Sequence, residues 1–134
     1  MNHHKLQKKI NYEFKNNDLL TLALSHKSSN NNDNNERLEF LGDSILNSVI
    51  SQYLFLKFPL VKEGQLTRMR SYMVKGETLT KKANQINLID HINLSKGTSN
   101  LSAERKSSIL EGTIESIIGA IFPVSYTHLR AHET

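Results

Sequence analysis

The ten residues Asn35-Glu36-Arg37-Leu38-Glu39-Phe40-Leu41-Gly42-Asp43-Ser44 set three acids among hydrophobic neighbours. Wound on a helix at about 100° per residue, Glu36, Glu39 and Asp43 fall within an arc of roughly 60°. Leu38, Leu41, Ile45, Leu46, Val49, Ile50, Tyr53 and Leu54 make the rest of that helix apolar almost all round. A helix patterned in this way is expected to be buried on most sides. Buried carboxylates are costly unless cations or hydrogen-bond donors meet them. A hard divalent ion such as Mg²⁺, which takes oxygen ligands, would satisfy all three together. The competing reading is electrostatic. Acids in a first turn complement the helix macrodipole, which accounts for Glu36 and in part for Glu39. Asp43 lies two turns in, beyond that effect.

A second acidic stretch, Ser107-Ser108-Ile109-Leu110-Glu111-Gly112-Thr113-Ile114-Glu115-Ser116, interrupts an isoleucine-rich segment. Glu111 and Glu115 are one turn apart and share a helix face. Alone, such a pair reads as a solvated edge. It joins a site only if the two helices pack together and bring Glu115 towards Glu39 and Asp43.

The elements that must do this positioning are helical. Leucine and isoleucine recur at three- and four-residue spacings, and the only prolines are Pro59 and Pro123. A first short helix is expected over roughly residues 3–10 and a second, capped by Asn17 or Asp18, through Leu19, Leu20, Leu22, Ala23 and Leu24. Ser28–Asn35 (SSNNNDNN) reads as a polar loop with nothing apolar to bury. A long helix runs from about Glu36 to Lys57 and ends at Phe58-Pro59. After a turn around Gly64, Leu66, Met69 and Met73 form a helical stripe; another helix begins near Glu77, and a last one runs from about Ala103 to Phe122. The fold class is therefore all-α.

A chain of 134 residues suits a single domain with one core. No apolar run approaches a membrane span, and the polar N-terminus leads into no signal core, so a cytoplasmic protein is expected. There is no cysteine, which excludes disulfides and thiolate metal sites. The net charge of +4 favours a polyanionic partner, though only weakly. The apolar periodicity stops at Pro123, and Pro123–Thr134 (PVSYTHLRAHET) looks like a translated sequencing adapter. Residues 1–122 are accordingly read as the domain and 123–134 as a non-native tail, with an ordinary C-terminal tail as the other reading.

With these residues in view, the chain resembles the endonuclease domain of bacterial ribonuclease III. Asn35–Ser44, NERLEFLGDS, is similar to the signature of that family. Ala23–Ser28 (ALSHKS), Glu63–Ser71 (EGQLTRMRS) and the stretch from Ser108 to Phe122 resemble three further family segments, in the same order. The resemblance implies an all-helical homodimer that cleaves double-stranded RNA with Mg²⁺, or Mn²⁺ in its place, and acts on ribosomal RNA precursors and messenger RNA. It implies metal binding by Glu39, Asp43 and Glu115, catalysis through Asp43 and Glu115, and support from Glu36. Phe40 corresponds to the aromatic that plugs a socket in the partner subunit, with plain core packing as its other reading. Each of two centres would cut one strand, leaving 5′-phosphates and two-nucleotide 3′ overhangs. Glu63, Arg68 and Arg70 are the candidate RNA contacts within the matched motifs.

The sequence also departs from the family pattern. An aspartate ligand is usual three residues before the last-helix glutamate; here that position is Gly112. Glu111 is rotated about 100° away and does not simply replace it. Weaker metal binding is the expected consequence, and a catalytically impaired RNA-binding or scaffold protein of the same fold is the alternative function. The closing helix and RNA-binding domain usual in the family are not in the sequence, so truncation before that domain is a further expectation.

Overall fold

A computed structural model describes residues 3–29, 33–95 and 100–122. The tail expected to be non-native lies outside the described residues. Among the described residues six α-helices follow one another: α1 (His4–Ile10), α2 (Asn17–Ala23), α3 (Glu36–Lys57), α4 (Glu63–Val74), α5 (Gly76–Gln85) and α6 (Ala103–Ile121), with one 3₁₀ turn at Leu88–His91 between α5 and α6. Among the described residues the sole extended pairing is an isolated parallel bridge between Ser25 and Asn93. The fold is all-α.

Local chemistry sets most boundaries. Helix α3 ends at Phe58, because the proline that follows disfavours helical backbone in the residue before it. The Ser102 hydroxyl caps α6 by accepting the Arg105 N–H at 3.2 Å. Two boundaries differ from expectation. The cap of α2 is Asn16, whose side chain accepts the Asp18 N–H at 3.0 Å, so Asn17 and Asp18 both lie inside the helix. Gly64 is the second residue of α4, not the centre of a turn. The 3₁₀ turn was not anticipated; it follows Asn87, which adopts a left-handed backbone with φ 51°.

The core is organised on α6, of whose residues Ile109, Leu110, Gly112, Thr113, Ser116, Ile117, Gly119 and Ala120 are buried. Leu6, Leu20, Leu24, Leu38 and Leu88 close around it. The long helix α3 behaves differently from its sequence pattern. It buries only Leu38, Gly42 and Leu54, while Phe55 and Leu56 stand 70% and 76% exposed. Within one chain, α4 and α6 cover one flank of α3 and leave the other open. Helix α4 buries nothing completely: Leu66 and Met69 are half-buried and Met73 is exposed.

Candidate active site

Glycine decides where the acids meet. A Cβ placed on Gly42 would overlap the Glu115 carbonyl oxygen and stand 2.6 Å from its carbon and 2.9 Å from the Gly119 nitrogen. A Cβ on Gly119 would overlap the Leu38 carbonyl oxygen and stand 3.1 Å from the Gly42 nitrogen. Helices α3 and α6 therefore cross backbone against backbone at Gly42 and Gly119. Glu39 and Asp43 flank Gly42 on one helix, and Glu115 lies one turn before Gly119 on the other. The packing on which the second acidic stretch depended is present.

The electrostatics record this proximity. Partial burial, a hydrogen bond to Asp43, and then the charges of Asp43, Glu39 and Glu111 push Glu115 up to about 8. The hydrogen bond with Asp43 and the neighbouring negative charges both favour the protonated form of Glu115. Burial and the charge of Glu36 raise Glu39 above the ordinary carboxylate range; Lys27 opposes them, and Glu111 and Asp43 add to the rise. Asp43 itself is exposed and Glu39 and Glu115 are half-buried, so the acids line an open edge, not the sealed interior that the helix pattern suggested. Among the described residues, no three His, Asp or Glu side chains stand close enough together, as placed, to hold a metal ion.

A polar cavity of about 130 Å³ adjoins the acids, lined by His26, Lys27, Asn35, Glu36, Glu39, Ser108, Ile109, Gly112 and Thr113. Asn35 anchors its floor. The buried Asn35 amide donates to the Ala23 carbonyl at 3.1 Å and reaches the Ser116 hydroxyl at 3.4 Å. That hydroxyl in turn donates to the Ala23 carbonyl at 2.7 Å. One amide thus ties the end of α2 to the starts of α3 and the acidic turn of α6. His26 Nδ1 accepts the Ser28 N–H at 3.1 Å, which leaves its proton on Nε2. Burial and the charges of Lys27 and Arg105 depress its basicity, while Glu36 opposes them.

Residues 16–127 match the family described as Ribonuclease-III-like. The chain belongs to that family. Ribonuclease 3 of Azotobacter vinelandii is 49% identical over 118 residues, which are 88% of this chain and 51% of that protein. Ribonuclease 3 of Pseudomonas entomophila is 48% identical over 118 residues, with the same coverage, 88% and 51%. The chain spans about half the length of the curated relatives it matches. Among solved structures, the nuclease domain of ribonuclease III from Campylobacter jejuni, studied for flexibility in a region involved in dimer formation, superposes with a TM-score of 0.85. It is 46% identical, with 90% of this chain and 84% of that one covered. Dicer from Pichia stipitis aligns with a TM-score of 0.66 at 30% identity, over 89% of this chain and 52% of that one.

The remaining residues singled out in this ribonuclease-III-like chain are dispersed. Glu36 is exposed at the mouth of the polar cavity. Phe40 is 79% exposed, which excludes core packing within the chain. Glu63 and Arg70 belong to a different place, an apolar groove of about 810 Å³ between α3 and α4 that also includes Leu54, Phe55, Leu56 and Leu66. Arg70 donates to the Ser51 hydroxyl at 2.8 Å and so braces α4 on α3, while Glu63 accepts from Thr67 at 3.2 Å. Arg68 is exposed on α4. Sequence reasoning missed Lys27, the cation that faces Glu39. Its signal was its place in ALSHKS, but a lone lysine in a loop points nowhere until the fold closes. Asn35 was assigned to a solvated loop, and its burial was likewise unread.

Proposed function

We propose that this chain is the endonuclease portion of a ribonuclease III, hydrolysing phosphodiester bonds of double-stranded RNA with Mg²⁺, or Mn²⁺ in its place. One observation carries the reading. The glycine crossing of α3 and α6 sets Glu39 and Asp43 beside the turn of α6 that carries Glu115, near enough that their charges, with partial burial, raise Glu115 well above the ordinary carboxylate range. Carboxylates crowded on an open edge fit a divalent cation, since their oxygens are the hard donors that Mg²⁺ prefers.

Glu39, Asp43 and Glu115 would hold the ion, with Glu36 in support; rotation of their side chains completes the set. Bound there, Mg²⁺ would lower the pKa of a water and neutralise charge developing on the phosphoryl and leaving oxygens. To serve as a ligand Glu115 would have to be ionised, so metal binding would release a proton. Asp43, being exposed, keeps the site open to a phosphodiester. Lys27 lies against the cavity wall, where it balances the Glu39 charge. Arg68 and Arg70 remain candidates for phosphate contacts, of which Arg70 would first have to leave Ser51. Duplex RNA is read mainly through backbone and 2′-hydroxyl geometry, so little base specificity follows. The exposed apolar side chains of α3, Phe40 near its start and Phe55 and Leu56 near its end, suit a second copy of the chain. In that homodimer each centre would cut one strand, giving 5′-phosphates and short 3′ overhangs in ribosomal precursors and messages in the cytoplasm. Among the described residues, no helix is long and apolar enough to cross a membrane.

The second reading, a non-catalytic RNA-binding or scaffold protein, is favoured by Gly112 alone, which offers no side chain to a metal. Incubating the protein with duplex RNA, with and without Mg²⁺, separates the two. The nuclease reading predicts short 5′-phosphorylated products only with metal. RNA that is bound but stays intact across the Mg²⁺ range would establish the scaffold reading.

A further inference from the structure

The polar cavity beside the acids is lined by two unlike sets of groups. Helix α3 contributes the carboxylates of Glu36 and Glu39, whereas the turn after α2 contributes His26 and Lys27, and α6 contributes Ser108. Arg105 lies one turn before Ser108, on the same face of α6. Its charge and that of Lys27 both reach the His26 ring, so the basic groups converge on this rim of the cavity. The turn that carries His26 and Lys27 is fixed through its backbone. The His26 N–H donates to the Asn93 carbonyl at 3.1 Å, the Asn93 N–H to the Leu24 carbonyl at 2.8 Å and the Asn35 N–H to the Ser25 carbonyl at 2.9 Å. The Ser29 N–H and hydroxyl both donate to the His26 carbonyl, at 2.9 and 2.8 Å.

Four donors on this rim have no acceptor among the described residues: the Lys27 ammonium, the Arg105 guanidinium, the His26 Nε2–H and the Ser108 hydroxyl. Neither cation forms an ion pair with Glu36 or Glu39, although the carboxylates share the cavity. Spare donors beside spare carboxylates suit a phosphodiester beside a cation, the acids serving the cation and the donors the anion. We propose that His26, Lys27, Arg105 and Ser108 form a phosphate subsite, which holds the backbone phosphate next to the one being cut at Glu39, Asp43 and Glu115. The inference rests on the nuclease reading above and deepens it. Lys27 and Arg105 supply charge, and the neutral His26 ring and Ser108 supply directed hydrogen bonds. The contact is to backbone, so it positions the strand without reading its sequence. Arg70, by contrast, is already engaged with Ser51.

Steady-state cleavage of a short RNA duplex at saturating Mg²⁺, repeated over a series of salt concentrations, tests this. A flanking phosphate is held alike in the ground and transition states, so losing its contact raises KM and spares kcat. Arg105→Ala should raise KM about tenfold, the effect of one charge-assisted hydrogen bond, and change kcat by less than about twofold. It should also reduce the slope of log(1/KM) against log salt by about one, as expected for one phosphate contact. Lys27→Ala should act on KM and slope in the same way, while its Mn²⁺ affinity stays at or above wild type because a cation beside the acids is gone. Lys27→Arg should keep both KM and slope. Both side chains are exposed, so neither replacement threatens the fold. Wild-type KM and slope in Arg105→Ala and Lys27→Ala, a loss that falls on kcat instead, or weakened Mn²⁺ binding in Lys27→Ala would overturn the subsite. Asp43→Asn and Glu115→Gln separate it from the reading it rests on. If they cleave like wild type, the nuclease site is refuted; if they are inactive and the Arg105 and Lys27 variants match wild type, only the subsite is. Should wild type itself not cleave, the nuclease reading falls, and the anisotropy of a labelled duplex reads the same slope, where no change in the variants overturns the subsite as well.

Discussion

Substituting Gly42 with alanine puts the helix crossing under direct load. The added Cβ would sit 2.6 Å from the Glu115 carbonyl carbon, against at least 3.4 Å for ordinary contact, and closer still to the carbonyl oxygen. The two backbones must therefore part by at least about 1 Å, and the carbonyl oxygen sets the larger demand. Every atom met is main chain, so no side chain can rotate out of the way. Overpacking of this kind costs about 1–3 kcal/mol, and the absence of rotamer relief points to the top of that range. Alanine returns up to about 1 kcal/mol through its better helix propensity. The net loss is about 2 kcal/mol, or roughly 8 °C in melting temperature for a domain of this size. The same displacement separates Asp43 from Glu115, and misplacing a reacting group by about 1 Å can cost on the order of 100-fold in rate. Gly64→Ala is the matched control, because nothing lies within 4 Å of its new Cβ. It should melt at or slightly above wild type and retain full activity. Thermal denaturation with duplex-RNA cleavage at saturating Mg²⁺ reads both effects. A Gly42→Ala protein that melts and cleaves like wild type would refute the backbone contact and the site geometry built upon it.

Three further outcomes follow from named contacts. Glu115 titrates near 8 in the fold against 4.5 in an unfolded chain, so the folded state holds its proton more tightly. The contribution of Glu115 to metal-free stability should then be fully present below about pH 4.5 and be lost as pH rises towards 8. Solvent screening at this half-exposed site limits the loss to about 1–2 kcal/mol; Glu115→Gln should flatten the slope, leaving the part due to Glu39, and parallel curves for the two proteins would contradict the raised Glu115 carboxyl. Asn35→Ala leaves the Ala23 carbonyl and Ser116 short of a buried partner and should cost about 1–3 kcal/mol in chemical denaturation; an unchanged midpoint would show the latch to be idle. Phe40→Ala should weaken self-association by about 2 kcal/mol or more, roughly 30-fold, in sedimentation equilibrium if Phe40 anchors the second copy, whereas an unaltered dimer constant would remove it from the interface.

Much of the fold is legible in the sequence because it is written locally. The span of α3 follows from its acidic start and its stop before Pro59, and α6 follows from isoleucine spacing beginning after Ser102. Caps within polar runs are harder. In Asn16-Asn17-Asp18 three good caps stand side by side, and only the backbone chosen by the fold selects Asn16. Periodicity also misjudged the burial of α3, since an apolar surface looks the same in sequence whether the chain itself covers it or a second copy would. For the site, the residue types and their helix faces were readable, and so was the condition that α3 and α6 pack together. The crossing itself was not, because Gly42 and Gly119 are far apart in sequence and gain meaning only in contact.

The central claim is that one divalent ion is shared by α3 and α6. Diffraction from crystals grown with Mn²⁺, recorded for its anomalous signal, tests it most directly. The account predicts a peak about 2.0–2.5 Å from carboxylate oxygens of Glu39, Asp43 and Glu115 together, lost in Glu115→Gln. No peak between those helices at saturating Mn²⁺, or a peak that Glu115→Gln leaves in place, would contradict it.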